Sequence, residues 1–373
     1  MKTFTTCGGD DVNAVVSGYL RDLAYAQSTK PRMFGYKRAA AAIFHLERSL
    51  VDLVREHGGE LPRIPGIGPS SARIIREVLE GGGSAIVERA IDASGRRADI
   101  DRRRTLRVHF LSRAAVIRIL HDPALGGPSL HDYRADLQMH SEWSDGTPTI
   151  DQIVDVCQAR GYTHAAVTDH SYGLTIAGGM SMEEAAAQRR AIDAANNTRG
   201  GTFRLLQGVE ANITLDGDLD LDHSEAAIFD LVLAAPHSRL RKTNDQTARM
   251  LRALEHPTVR ILAHPRGRIT GSRAGVVADW PAVFARAAQL GIALEIDGDP
   301  ARQDLDYELA AEARRAGCLF ALDSDAHTTG QLAYAETAIA HARLAGITPD
   351  RIVNCWPLDR LLAWIADPAS ELL

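Results

Sequence analysis

Six short apolar runs in this chain each lead into a histidine, an acid or both. They are DLQMHSEWSDG (136–146), AAVTDH (165–170), LLQGVEAN (205–212), LVLAAPHS (231–238), RILAHPRGR (260–268) and LFALDSDAH (319–327). Runs of four to eight aliphatic or β-branched residues read as buried strands, and each is followed by a longer amphipathic stretch suited to a helix. Alternating units of that kind build parallel barrels, in which the carboxyl ends of the strands converge on one face. The spacing therefore brings His140, Asp145, His170, Glu210, His237, His264, Asp325 and His327 together as a metal site assembled strand by strand. Strand candidates begin at Ala135, His164, Phe203, Leu231, Ile261, Ile292 and Leu319. Helical patterns follow near 150–160, 183–197, 243–255, 279–290, 304–316 and 331–345, so a seven-stranded parallel α/β barrel is the economical fold.

The four cysteines, Cys7, Cys157, Cys318 and Cys355, lie far apart with no C-x-x-C pair. Neither a zinc knuckle nor a disulfide framework is indicated, and buried apolar thiols are expected. No apolar run approaches the roughly 18 to 20 residues of a membrane span, and MKTFTTCGGDDVN lacks a basic flank followed by an apolar core. The expectation is a cytoplasmic protein with no membrane partner. Charge is divided along the chain. Residues 1–134 hold 21 Lys+Arg against 15 Asp+Glu, and the remainder 21 against 33. The front attracts polyanions better than the back does.

In that front third, YKRAAAAIFHLERSLVDLVREH (36–57) has apolar residues at helical spacing and predicts one helix. LPRIPGIGPSSARIIREVLEGG (61–82) follows, with Gly66-Ile67-Gly68 opening a second helical pattern near Ser70. This is the helix-hairpin-helix signature: a glycine turn lets backbone N–H groups at a helix start approach a nucleic-acid phosphate without reading bases. The competing reading is a tight interhelical turn that binds nothing. Gly66, Ile67, Gly68, Ser70 and Arg73 are the candidate DNA contacts. The five arginines 96, 97, 102, 103 and 104 either extend a phosphate track or form a solvated face within a basic connector, 96–134.

Residues 5–95 resemble the small N-terminal domain of family X DNA polymerases, in which that motif grips the DNA backbone. Aligning the turn puts Ile74 where many members carry a lyase lysine, which argues against Schiff-base chemistry by that route. The forty or so residues that follow are too few for a nucleotidyltransferase unit, so polymerase activity is not expected.

The cluster motifs from about 135 to 365 resemble the PHP family, named for polymerase and histidinol phosphatase. That resemblance implies a phosphoesterase with a distorted (β/α)7 barrel, preceded here by a small all-α domain (1–95), and a trinuclear metal centre. It implies that Gln138, His140, Glu210 and Asp325 hold one metal, that Glu210 bridges to a second held by His237 and His264, and that Asp145, His170 and His327 hold a third. Imidazole and carboxylate donors suit Mn or Zn, with Fe also acceptable. Gln138 stands where the family usually has histidine, and an amide oxygen is the weaker ligand. Glutamine there and Asp145 both occur in PHP domains of bacterial family X polymerases, which points toward DNA.

Catalytic expectations follow from charge. Cations make a bound phosphodiester electrophilic and acidify water, with Glu210 fixing the spacing and Asp325 acting as proton acceptor or as ligand only. Arg266 and Arg268 either hold phosphate oxygens or anchor their loop. The leading expectation is a DNA phosphoesterase of the 3'-5' exonuclease or 3'-end-processing kind, binding DNA independently of sequence. A histidinol-phosphatase-like monoesterase and a DNA-binding protein with a structural metal centre are the alternatives.

Overall fold

The computed structural model describes residues 11–199 and 201–371, so Cys7 lies outside the described residues. The chain divides into two compact units: residues 1–122 with 270–272, and residues 123–269 with 273–373. Among the described residues no helix is long and apolar enough to cross a membrane.

The front unit is all-α, with α1 (Val12–Ala26), α2 (Lys30–Phe44), α3 (Leu50–Glu56), α4 (Pro69–Gly81), α5 (Ala85–Ser94), α6 (Arg97–Thr105) and α7 (Arg113–Leu120). The single helix expected over 36–57 is broken between Phe44 and Leu50. The cause lies far away in sequence: the buried Asn13 side chain accepts from the Leu50 amide (2.9 Å) and donates to the Arg48 carbonyl (2.9 Å). Ser49 caps the new helix through its hydroxyl. Leu20, Ile43, Ile74, Ile75, Val87 and Ile91 fill the core, so Ile74 is a packing residue.

The segment expected to be a connector, 96–134, is divided. Its first part forms α6 and α7 within the front unit, and the boundary falls at Asp122/Pro123. Its arginines are engaged internally. Arg97 pairs with Glu88 and Asp92, Arg102 and Arg103 with Asp99, and Arg104 with Asp22 and Glu88. Arg96 donates to the Tyr25 carbonyl.

The rear unit holds a six-stranded parallel sheet in sequential order, β1 (His164–Val167), β2 (Arg204–Asn212), β3 (Leu231–Ala235), β4 (Val259–Leu262), β5 (Ala293–Asp297) and β6 (Leu319–Asp323). Helices α8 (Ile150–Ala159), α9 (Met182–Thr198), α10 (His223–Ala226), α11 (Thr247–Leu254), α12 (Trp280–Leu290), α13 (Tyr307–Arg315), α14 (Ala335–Leu344) and α15 (Leu358–Ala366) alternate with the strands or follow them. The strands are buried along almost their whole length, as expected when helices cover a parallel sheet. Long β2 pairs with β1 through Arg204–Gln207 and with β3 through Gly208–Asn212.

The strand expected at Ala135 is instead an irregular extended segment between β1 and β6. On one side the amides of Thr163, Ala166 and Thr168 donate to the carbonyls of Arg134, Asp136 and Met139 (2.8–3.0 Å). On the other, the His140 amide donates to the Ala326 carbonyl (2.8 Å), but the Leu137 amide goes to a side chain, Asp323 Oδ1 (2.8 Å). Asn354 completes the seam, donating to the Ala135 carbonyl (3.1 Å) and to Asp323 (2.8 Å). Side chains here replace a regular ladder, which is why six strands form and not seven. Beneath the sheet, Leu206, Leu233, Ile261, Trp356 and Trp364 form the apolar core, each burial contributing about 1.5–3 kcal/mol before entropy is counted.

Candidate metal centre

Every candidate ligand lies at or just past the carboxyl end of a strand or of the closing segment. His170 follows β1 and bridges to Glu210 near the end of β2, His237 follows β3, and His264 follows β4. Asp325 and His327 follow β6, and His140 ends the closing segment. Two of them, His264 (φ 24°) and Asp325 (φ 50°), hold left-handed backbone, a strain that persists where surrounding structure over-determines it. Asp145 is brought back over His140 by a turn that depends on Gly146, where a Cβ would collide with the His140 carbonyl. Buried Asp169 steadies that turn, accepting from the Ser141 amide (2.8 Å) and from the hydroxyls of Ser141 and Ser144 (2.5 Å each).

Glu210 is the centre of the array. Its Oε1 lies 2.8 Å from His264 Nε2 and 3.2 Å from His237 Nε2; its Oε2 lies 3.0 Å from His170 Nδ1 and 3.4 Å from His140 Nε2. His140 Nε2 is also 3.1 Å from Asp325 Oδ1, and Asp145 Oδ1 is 3.2 Å from His327 Nε2 and 3.5 Å from His170 Nε2. The donor atoms form three compact groups: His140, Asp145, His170 and His327; His170, Glu210 and His237; His140, Glu210 and Asp325. The first adds His140 to one ligand set implied by the family resemblance, and the second takes His170 where that set has His264. His140, Glu210, His264 and Asp325 are buried, whereas His237 and His327 are half-buried and Asp145 is exposed. Solvent reaches the array from that side.

Burial alone would raise the Glu210 carboxyl, but the surrounding imidazoles, His170 and His237 first, hold it well below its ordinary range. Burial likewise opposes ionisation of Asp325, and Arg302 and His140 overcome it. Burial opposes the charge on His327 too, yet Asp145 and Asp325 raise its pKa to about 9. Two carboxylates stay anionic among the imidazoles, and Nδ1 of His140, His237 and His264 is buried with no hydrogen-bond partner. Oxygen and nitrogen donors in this number, with no thiolate, fit divalent cations.

Gln138 behaves differently from the other candidates. It is fully buried, and turning its amide so that the nitrogen faces Glu295 satisfies that nitrogen with a donor bond to Oε2 (3.0 Å). Glu295 also accepts from the His264 amide. Burial, with Asp323, Asp297 and Asp325 nearby, pushes the Glu295 carboxyl well above its usual range. Glu295 and Asp297 are legible in principle, because ALEIDGD is another apolar run ending in acids, although the sequence pattern there predicts only a strand.

The guanidinium at the centre is Arg302. Its Nε lies 3.4 Å from Asp325 Oδ2 and 3.6 Å from Asp297 Oδ2. Arg266 and Arg268, expected as phosphate holders or loop anchors, both donate to Asp306 (3.0 and 2.9 Å), and Arg268 also donates to the Gln303 carbonyl. Their geometry is that of anchors. In the front unit, Gly66 has φ 82°, Gly68 caps α4, and Ser70 and Arg73 are exposed. Ile67 is half-buried against the core, and Gly66, Gly68 and Ser70 share a groove with Arg32 and Arg38. Cys157 and Cys318 are buried and Cys355 is half-buried.

Comparison with known proteins adds a family and two kinds of relative. The family described as PHP domain matches residues 136–264. The DNA polymerase/3'-5' exonuclease PolX of Bacillus subtilis (strain 168) is 35% identical over 237 residues, 63% of this chain, and the chain spans only 41% of that relative's length. The probable phosphatase YcdX of Escherichia coli (strain K12) is 28% identical over 237 residues, covering 60% of this chain and 91% of that protein. Among solved structures, histidinol phosphate phosphatase from Lactococcus lactis, complexed with zinc, L-histidinol and phosphate, is 18% identical with a TM-score of 0.40, covering 56% of this chain and 92% of that one.

Proposed function

With a PHP domain at the heart of its rear unit, this chain is, we propose, a metal-dependent phosphoesterase that hydrolyses phosphodiester or terminal phosphate bonds in DNA. The activity is that of a 3'-5' exonuclease or a 3'-end-processing repair enzyme. The observation that carries the hydrolytic part is Glu210, one carboxylate within 3.4 Å of four imidazoles at the carboxyl ends of parallel strands. The reading includes a distorted (β/α)7-type barrel in which the irregular closing segment takes the place of a seventh strand, and three divalent ions, Mn or Zn, with Fe as a third choice. His140, Glu210 and Asp325, with Gln138 beside them, would hold one. Glu210, His237 and His264 would hold the second, and Asp145, His170 and His327 the third.

Bound there, such cations would neutralise phosphate charge and would acidify water, whose pKa at a zinc ion falls to about 7. The chain's own residues do the rest. Glu210 fixes the spacing of the donor sets, and Asp325, kept ionised chiefly by Arg302, serves as a donor to the cation or as proton acceptor. Arg302 offers a guanidinium to developing charge on the phosphate oxygens.

Support for DNA as substrate comes from the front unit, which we read as a helix-hairpin-helix domain binding backbone phosphates through Gly66, Ile67, Gly68, Ser70 and Arg73, and from the likeness to PolX. The likeness to YcdX favours a small-molecule phosphomonoesterase as the second reading. One assay separates them: protein loaded with Mn or Zn is given 5'-labelled and 3'-labelled oligonucleotides beside small monoesters, histidinol phosphate included. Stepwise release from the 3' end is expected. No oligonucleotide cleavage with brisk monoester hydrolysis would instead establish the second reading, and full metal content without turnover of any ester would leave a DNA-binding protein with a structural centre.

A further inference from the structure

The loop that follows His237 in sequence carries three cations in four residues, Arg239-Leu240-Arg241-Lys242, all but Leu240 exposed. The unit around it is acidic, with 33 Asp+Glu against 21 Lys+Arg from residue 135 onward, so this run is a local reversal of sign.

The loop is held from beneath by buried side chains. Arg249 Nη1 donates to the Ser238 carbonyl (3.1 Å) and Nη2 to the Ser238 hydroxyl (2.8 Å), while Gln246 Nε2 donates to the Arg239 carbonyl (3.3 Å). Leu240 is buried, with its methyl groups packed against Gly267, whose φ of 58° favours glycine. Arg239 itself has φ 58°. Only five described non-glycine residues have positive φ. Two of the others are the candidate ligands His264 and Asp325, and a third, Gln303, adjoins Arg302. Strained backbone gathers at functional sites, and the fifth such residue, His109, lies in the front unit.

The cations also crowd one another. Burial and then Arg302 and Arg241 hold the Arg273 guanidinium down to about 10, and burial and then Arg239 lower that of Arg249. Exposed cations this close in sequence repel one another, and an anion with several charges relieves that repulsion. A monoester places its single phosphate at the metal centre and has nothing left for the loop, whereas a nucleic-acid strand has a further phosphate at every nucleotide.

We propose that Arg239 and Lys242, with Arg241 between them, bind the backbone phosphates that flank the one held at the metal centre, so that this loop gives the rear unit its own preference for a strand over a small ester. The inference rests on the DNA reading given above.

The test uses the full metal-loaded chain and a double variant, Arg239→Asn with Lys242→Gln; asparagine tolerates the left-handed backbone, so the loop keeps its shape. Hydrolysis of a labelled single-stranded oligonucleotide is compared with that of bis(p-nitrophenyl) phosphate over a range of salt. The ratio of kcat/KM for oligonucleotide to that for the small diester should fall at least about tenfold, mainly through KM, and the log–log salt slope should become shallower by about 1 to 2. If the wild-type chain digests the oligonucleotide and the variant keeps both its ratio and its slope, the loop does not touch the strand and the proposal is wrong. A loss equal on both substrates would overturn it too, by showing that the loop merely supports the metal centre. A wild-type chain that cleaves small esters but no oligonucleotide would remove the DNA reading itself, and this inference with it.

Discussion

In the front unit the buried carboxylate Asp22 meets two guanidinia, Arg104 at 2.7 Å and Arg107 at 2.5 Å; in the rear unit the buried carboxylate Glu210 meets four imidazoles at 2.8–3.4 Å. Both arrangements neutralise an acid taken out of water, but with different partners. A guanidinium keeps its proton and has no lone pair to offer, so the Asp22 cluster is finished as it stands. An imidazole can give up its proton and present a lone pair, so the Glu210 cluster can exchange protons for metal ions. The front unit uses buried charge to join α1 to α6 and to the chain just after it, and the rear unit keeps it for chemistry.

The sharpest challenge to this contrast is Glu210→Gln. Hydrolysis should drop by on the order of a thousandfold and bound metal should fall, because one carboxylate serves most of the donor atoms. The counterpart Asp22→Asn should change unfolding midpoint and leave metal content alone; loss of metal from it would refute the division of roles. Next in size is Gly146→Ala. The added methyl must displace the His140 carbonyl, at a cost of about 1–3 kcal/mol, and elemental analysis after dialysis should find less metal once Asp145 is moved.

A step smaller is Glu295→Ala, which releases both the Gln138 amide and the His264 backbone. Metal affinity should weaken by roughly 10- to 100-fold, measured by competition with a chelator. Unchanged affinity would mean that Glu295 orients neither residue.

His164 sharpens the contrast from another side, since it is a buried histidine of the rear unit outside the metal array. Burial lowers its pKa to about 4, from 6.5 when unfolded. The unfolded chain then binds the extra proton, so the stability this group contributes is present above pH 6.5 and is lost as pH falls toward 4. The full effect is about 3 kcal/mol. Chelator-treated wild-type protein should lose more stability between pH 7 and 4.5 than His164→Leu does, and parallel curves would contradict it. The smallest effect belongs to Arg73→Ala, which should weaken DNA binding modestly and uniformly across sequences and reduce the salt slope by about 1.

Much of the candidate site was legible because its signal is local. A histidine or acid at the end of an apolar run stays at a strand end whatever the rest of the fold does, and eight such residues meet here. What escaped depends on distant partners. Nothing near residue 45 announces that Asn13 will break the helix there, and nothing near residue 135 announces that Asp323 and Asn354 will take over its ladder. Arg266 and Arg268 stood out beside a ligand strand, yet Asp306, some forty residues on, claims both, and the less conspicuous Arg302 reaches the centre.

The closing segment bears on the order in which a working molecule comes into being. Gln138 and His140 leave the ribosome early, but Asp325 and His327 emerge nearly two hundred residues later, and Asn354, which clasps the seam, later still. Domains fold from the amino end as they are made, so the front unit is complete while the rear sheet still lacks its last strand. A nascent or prematurely stopped chain would therefore carry a finished helical unit and no assembled cluster of ligands. Hydrolytic power is withheld until the late partners of the closing segment have been made.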